Sequence, residues 1–326
     1  MKKILLGLCA LSCLAGGAVA RAAEPADPEP EGADTPAETP APPPRTPKGE
    51  LGFLLVPLGT AYTRSAVGAS FRYEVPLIDR PGILWNNTNV ALGVRETYSY
   101  VNNTLAPFVE ITPIAFFKLQ ASASYDMLIP DPFKGGLRVL TPLGEERLAA
   151  GQVERGNPDA VDWVEGRDNL EVFTAPAFAH GLRARIQPTL QAKLGPVGMQ
   201  YNFTADWNWY RGGGFGGDAI FHDSFTFTLR KMRDLGMSHE LVVVFEVPGI
   251  RDTIRIGAVG KHYRPVSTGL ERLEAVGLLY YRPGRAWVGE TGTPWFTGQF
   301  GTNLVDPMHQ YDFSWILALG IDFRLL

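Results

Sequence analysis

His222-Asp223-Ser224 places a general base and a hydroxyl two residues apart. On an extended strand, positions two apart share a face, so the imidazole could take the serine proton and make it a nucleophile. The neighbours argue for a milder role. Read as one continuous strand, His222 and Ser224 align with Thr226 and Thr228, and Phe221, Phe225 and Phe227 take the other side. The expectation is a hydrogen-bonding pair at the base of a loop, with no catalytic residue assigned. Metal chemistry has less support. The 5 histidines, His180, His222, His239, His262 and His309, lack ligand spacing, and the chain's 2 cysteines, Cys9 and Cys13, lie near the start. Gly212-Gly213-Gly214-Phe215-Gly216-Gly217 opens no helix and reads as a loop tip, so no cofactor is expected.

A second set of residues could act by charge. Arg72, Arg95, Lys118, Arg183, Arg185 and Lys193 fall on the polar side of alternating segments, with Glu74, Glu110, Asp126, Asp206 and Asp322 as acidic company. Charged side chains around a wet passage select permeants by sign, and the basic excess predicts a lean toward anions. The competing expectation is that acids and bases pair across the interior and close it.

Those charges depend on alternation. From Phe117, the residues Phe117, Leu119, Ala121, Ala123, Tyr125 and Met127 oppose Lys118, Gln120, Ser122, Ser124 and Asp126. From Val197, an oily row ending in Trp207 and Trp209 opposes Gln200, Asn202, Thr204 and Asp206. Weaker alternation covers 67–75, 90–95, 182–193 and 254–261. Glu96 stands on the oily side of its segment, and Pro188 interrupts another. Strands of about ten residues with one oily and one polar face match a bilayer crossing. A soluble sandwich also alternates, but its strands are usually shorter and its outer faces more charged.

The C-terminal segment puts Phe313, Trp315, Leu317, Leu319, Ile321, Phe323 and Leu325 on one side, with Ser314, Ala318, Gly320, Asp322 and Arg324 on the other. Gly320, Phe323 and Leu325 resemble the C-terminal strand by which Gram-negative outer-membrane β-barrels are recognised for insertion, although here the chain closes on Leu325-Leu326 instead of an aromatic residue. The resemblance implies residence in a Gram-negative outer membrane, contact with its lipid, and recognition by the barrel-insertion machinery. His222 and Ser224 also resemble the His-x-Ser of outer-membrane phospholipases and lipid A deacylases. Those families continue with asparagine where this chain has Phe225.

Lys2 and Lys3 before the apolar run Ile4 to Ala15 read as a signal peptide over residues 1–22, with lipidation of Cys13 as a second reading. Residues 23–48 carry nine prolines and the acids Glu24, Asp27, Glu29, Glu31, Asp34 and Glu38, and are expected to form a disordered periplasmic linker. Net charge is −4, and no basic patch invites nucleic acid.

Residues 50–326 are thus expected to form an all-β, up-and-down antiparallel transmembrane barrel of about twelve strands, within a range of ten to fourteen. Arg80-Pro81-Gly82, Thr112-Pro113-Ile114, Leu194-Gly195-Pro196, Val247-Pro248-Gly249 and Arg282-Pro283-Gly284 are expected as short turns on one rim. Leu128–His180, Arg211–Asp234 and Thr297–Gln310 are expected as long connections on the other. Residues 220–230 could be an extra crossing or a hairpin above the membrane. The expected function is a narrow porin-like passage for small polar, possibly anionic, solutes. The alternatives are a non-conducting structural or recognition barrel and a lipid hydrolase using His222 and Ser224.

Overall fold

The computed structural model describes residues 46–59, 66–78, 84–85, 88–99, 102–130, 136–150, 172–223, 225–226, 228–249, 252–289, 291–305 and 313–325. Fourteen strands run in chain order: β1 (Lys48–Gly59), β2 (Ala66–Pro76), β3 (Asn89–Ser99), β4 (Asn102–Ile114), β5 (Phe117–Leu128), β6 (Ala179–Leu194), β7 (Val197–Gly212), β8 (Ile220–Asp223), β9 (Thr228–Lys231), β10 (Arg233–Glu246), β11 (Thr253–Pro265), β12 (Arg272–Arg282), β13 (Gly292–Val305) and β14 (Phe313–Arg324). One helix, α1 (Pro142–Ala149), stands between β5 and β6, its first turn capped by Thr141, whose Oγ1 accepts from the Gly144 amide.

Twelve of these strands close into one antiparallel barrel in the order β1-β14-β13-β12-β11-β10-β7-β6-β5-β4-β3-β2. Closure pairs β1 with β14, Leu51 opposite Phe323 and Phe53 opposite Ile321. In hydrocarbon an unpaired backbone amide costs several kcal/mol, and a closed ring leaves no open edge. The alternation decides which face meets lipid. Phe53, Leu92, Leu182, Leu241, Ile256 and Phe300 are 45–56 % exposed and point outward. Tyr125 and Trp209, also outward, lie toward the ends of β5 and β7 at one rim, where an aromatic girdle belongs.

The two rims differ as bacterial barrels require. Two-residue turns join β4 to β5 and β6 to β7, on the same rim as the start of β1 and the end of β14. The five expected short turns lie at this periplasmic rim, with one correction. Thr112-Pro113-Ile114 belongs to β4 itself, and the reversal follows at Ala115-Phe116, after a register shift between Ile111 and Ile114. A bulge absorbs the proline without ending the strand.

Three other boundaries move. Thr297–Val305 is the outer part of β13, so only residues 306–312 separate it from β14. The barrel begins at Lys48, inside the stretch assigned to the linker. Residues 220–231 form a separate two-stranded hairpin, β8–β9, and not a crossing. Pro188 lies within β6, whose register with β7 is unbroken from Ile186 to Thr189, and Glu96 faces outward three residues from the outer end of β3. The leader and most of the linker, residues 1–45, lie outside the described residues.

Candidate lumen and outer latch

Cross-strand partners share a face, so the register traces the lumen. Arg72 sits opposite Gly93, Ser70 opposite Arg95, Glu110 opposite Gln120, Lys118 opposite Thr189, Arg185 opposite both Ser122 and Asp206, and Lys193 opposite Gly198. All six basic residues proposed from sequence face inward, but most do not stand as isolated charges. Arg72 lies 2.8 Å from Glu110 and 3.0 Å from Glu74, and Lys118 lies 3.3 Å from Glu110. Lys193 lies 2.9 Å from Glu246, a carboxylate it shares with Arg255. Arg95 stacks its guanidinium 4.6 Å from the centre of the Phe108 ring. Arg185 has no hydrogen bond or ion pair with any described residue, although Asp206 is its cross-strand partner.

The acids that temper the basic excess come largely from strands whose facing was not legible in sequence. Glu240 and Glu246 on β10 and Glu274 on β12 all point inward, beside Lys261, Arg255 and Arg272. The same strands give the lumen an apolar strip. Val242, Val259, Val276 and Leu278 are buried against one another, and Ile316, Ala318, Val56 and Ala66 form a second patch along β14, β1 and β2. The lumen is therefore two-sided, charged along β2 to β7 and apolar along β10 to β12.

At the outer mouth the β8–β9 hairpin lies across the opening. Phe221 pairs with Arg230 and Asp223 with Thr228, so Phe221, Asp223 and Arg230 share one face, and Ile220, His222 and Leu229 share the other. The reversal at residues 224–227 corrects the alignment expected from sequence, in which Thr228 joined His222. The Asp223 carboxylate makes the turn by accepting the Phe225 amide at 2.9 Å and the Thr226 hydroxyl at 2.9 Å.

This inward hairpin face is bolted to the wall by charge. Arg230, fully buried, lies 2.7 Å from Asp206 of β7 and 3.3 Å from Asp223, and donates to the Tyr263 hydroxyl of β11 at 2.7 Å. Arg183 of β6 lies 3.2 Å from Asp223 and 3.4 Å from Asp126 of β5, and donates to the Tyr210 hydroxyl, which donates onward to Asp126 at 2.6 Å. Arg272 of β12 donates to the Thr226 carbonyl at 3.2 Å. Burial opposes the charge on Asp223, but the Arg183 and Arg230 guanidiniums outweigh it and hold the carboxyl below the ordinary carboxylate value of 3.8.

The outer face of the hairpin meets the long β5–β6 connection. Leu140, Val172, Phe173 and Leu229 pack together, and Leu137, Val139, Phe221 and Met232 pack against Leu128 and Tyr210. Backbone bonds Leu140 N to Ile220 O and His222 N to Arg138 O knit the loop to the hairpin at 2.8 and 3.1 Å. Hairpin, loop strip and α1 thus form one cap. Within it, Asp223 is engaged by two arginines, and Ser224 lies outside the described residues.

No protein-family model matches the chain, and no curated protein matches it. Solved structures of similar shape include the NanC porin, at 8 % identity over 86 % of this chain and 100 % of that one, with a TM-score of 0.34. Another is OmpT of Vibrio cholerae, at 7 % identity over 86 % and 96 % with a TM-score of 0.33. A third is the beta domain of the Bordetella autotransporter BrkA, at 8 % identity over 86 % and 98 % with a TM-score of 0.37. These likenesses are confined to shape. The chain's own wall is closed and antiparallel, oily outside, fully paired in its backbone and short-turned on one rim, and on those grounds the chain is an outer-membrane β-barrel.

Proposed function

We propose that the barrel is a narrow, gated conduit for small solutes, closed at its outer mouth in the state described above. The observation that carries this reading is the nature of the closure. The charge-lined wall runs from rim to rim, while the obstruction is a four-residue-strand hairpin attached largely by ion pairs and hydrogen bonds. A barrel meant only as a scaffold has no need of a separable cover. Ion-paired side chains along β2 to β7 suit a wet passage, and the row Arg72, Arg95, Lys118 and Arg185 with Glu110 as its close acid supports a modest preference for anions.

The test is conductance in planar bilayers, comparing the intact protein with a variant in which residues 220–231 are replaced by a short glycine-serine turn. The reading expects rare, brief openings from the intact barrel and stable steps from the variant. Silence from both, with the barrel shown to be inserted and folded, leaves the scaffold reading. That second reading draws on the low exposure of many inward groups, Glu110 and Asp126 at 1 % and Asn202 at 2 % among them.

A further inference from the structure

The two-sided lumen narrows the kind of solute that fits it, and this step rests on the conduit reading. In a ring of twelve strands, each strand faces the one six places away. The observed order sets β2 across from β10, β3 across from β11 and β4 across from β12. The heights match as well. Arg72 and Val242 each lie four residues from the periplasmic ends of β2 and β10, and Arg95 and Val259 each lie six from those of β3 and β11. Phe108 and Val276 likewise lie six residues from the periplasmic ends of β4 and β12. The cationic row and the valine strip therefore oppose each other across one level of the lumen.

Neither wall suits a purely polar solute. A small hydrated ion gains nothing from Val242, Val259, Val276 and Leu278, which give up water contact on that side. An uncharged apolar solute leaves Arg185 without a counter-charge. We infer that this level of the lumen binds amphipathic anions, with a carboxylate-type head on Arg95 and Arg185 and an unbranched apolar tail along Val259 and Val276. Twelve strands about 4.8 Å apart and tilted about 40° enclose a backbone cylinder roughly 24 Å across, so after side chains fill both margins a tail of about six to ten carbons bridges the walls. Phe108, under the Arg95 guanidinium, gives the head site an aromatic floor.

Trp295 supplies a reporter. It faces inward opposite Gly320 and packs beside the apolar patch of Val56, Ile316 and Ala318, its indole Nε1 donating to Asp322 at 3.3 Å. The experiment uses the hairpin-replaced full-length barrel in phosphatidylcholine vesicles, titrated with 10-bromodecanoate, 10-bromodecanol and 10-bromodecyltrimethylammonium, with tryptophan quenching as the readout. The expected result is saturable quenching by the carboxylate alone, absent in Trp295→Phe. The affinity should fall at least tenfold in the pair Arg95→Gln, Arg185→Gln and again in the pair Val259→Asn, Val276→Asn. Equal quenching by all three probes, or a saturable phase that survives Trp295→Phe, overturns the inference without any lumen variant needing to fold. Chloride conductance of the same preparation separates the two readings. Conductance without carboxylate saturation removes the ligand class and keeps the conduit, and saturation without conductance keeps the site and removes the conduit.

Discussion

Replacing Arg230 with alanine tests the latch where its energy is concentrated. The guanidinium is fully buried and bonds at 2.7 Å to Asp206, at 3.3 Å to Asp223 and at 2.7 Å to the Tyr263 hydroxyl. Asp223 keeps Arg183 at 3.2 Å after the change, but Asp206, only 3 % exposed, loses its ion-pair partner. Breaking a buried pair by removing one member costs about 3–5 kcal/mol. Asp206 belongs to the wall and stays folded, so the penalty falls on the closed position of the hairpin. At about 1.4 kcal/mol per factor of ten, the closed-to-open ratio should drop by at least about 100-fold. Two readouts follow it. Hydrogen exchange of the amides at 220–223 and 228–231 should accelerate while that of β6 and β7 stays slow, and channel open probability should rise. The double change Arg230→Met, Asp206→Asn should restore much of the protection, because no charge is then left stranded. Unchanged exchange in the hairpin, with Arg230→Ala fully folded, refutes the claim that these ion pairs hold the mouth shut.

The latch should also be insensitive to pH across the neutral range. Asp223 has a native pKa depressed below 3.8, so its contribution is complete above 3.8 and is lost only as pH falls through the lower native value. Open probability should stay flat from pH 5 to pH 8 and rise on further acidification, and a transition near pH 6 counts against the assignment. Gly320→Val should cost about 1–3 kcal/mol, because a Cβ at Gly320 collides with the Trp295 indole, and the loss should appear as a shift in Trp295 emission and a lower urea midpoint. Leu241→Arg, on the outer wall, should cost about 2–4 kcal/mol in unfolding from lipid vesicles, and a neutral result means that position does not face hydrocarbon.

The legible part of the fold was the part with opposite chemistry on its two faces. In β5 and β7 the lumen positions are Gln120, Ser122, Ser124, Asn202 and Thr204, so period two is plain in the residue types. In β10 and β12 the lumen positions include Val242, Val244, Val276 and Leu278, and both faces read as oily runs. That one fact hid the facing of those strands, the acids Glu240, Glu246 and Glu274 they carry, and the apolar strip, so the lumen looked more basic than it is. The hairpin was hidden for a different reason. Residues 220–230 alternate well enough to pass for a crossing, and only the Asp223 side chain, closing a turn onto Phe225 and Thr226, reverses the chain. Asp-Ser at that point was the available signal. The six inward basic residues were placed on the correct face because each lies on a strand of mixed chemistry. Their partners were not readable, since Arg72 meets Glu110 and Arg183 meets Asp223 from 38 and 40 positions away.

The central claim is that successive residues of one strand meet lipid and lumen in turn. Single nitroxide labels at each position from 182 to 187 of β6, in the hairpin-replaced barrel in bilayers, measure it by collision with oxygen and with a water-soluble nickel chelate. The expected pattern has oxygen access high at 182, 184 and 186 and low at 183, 185 and 187, with nickel access the inverse. A period near 3.6, or equal access at neighbouring positions, contradicts the barrel and every functional statement built on it.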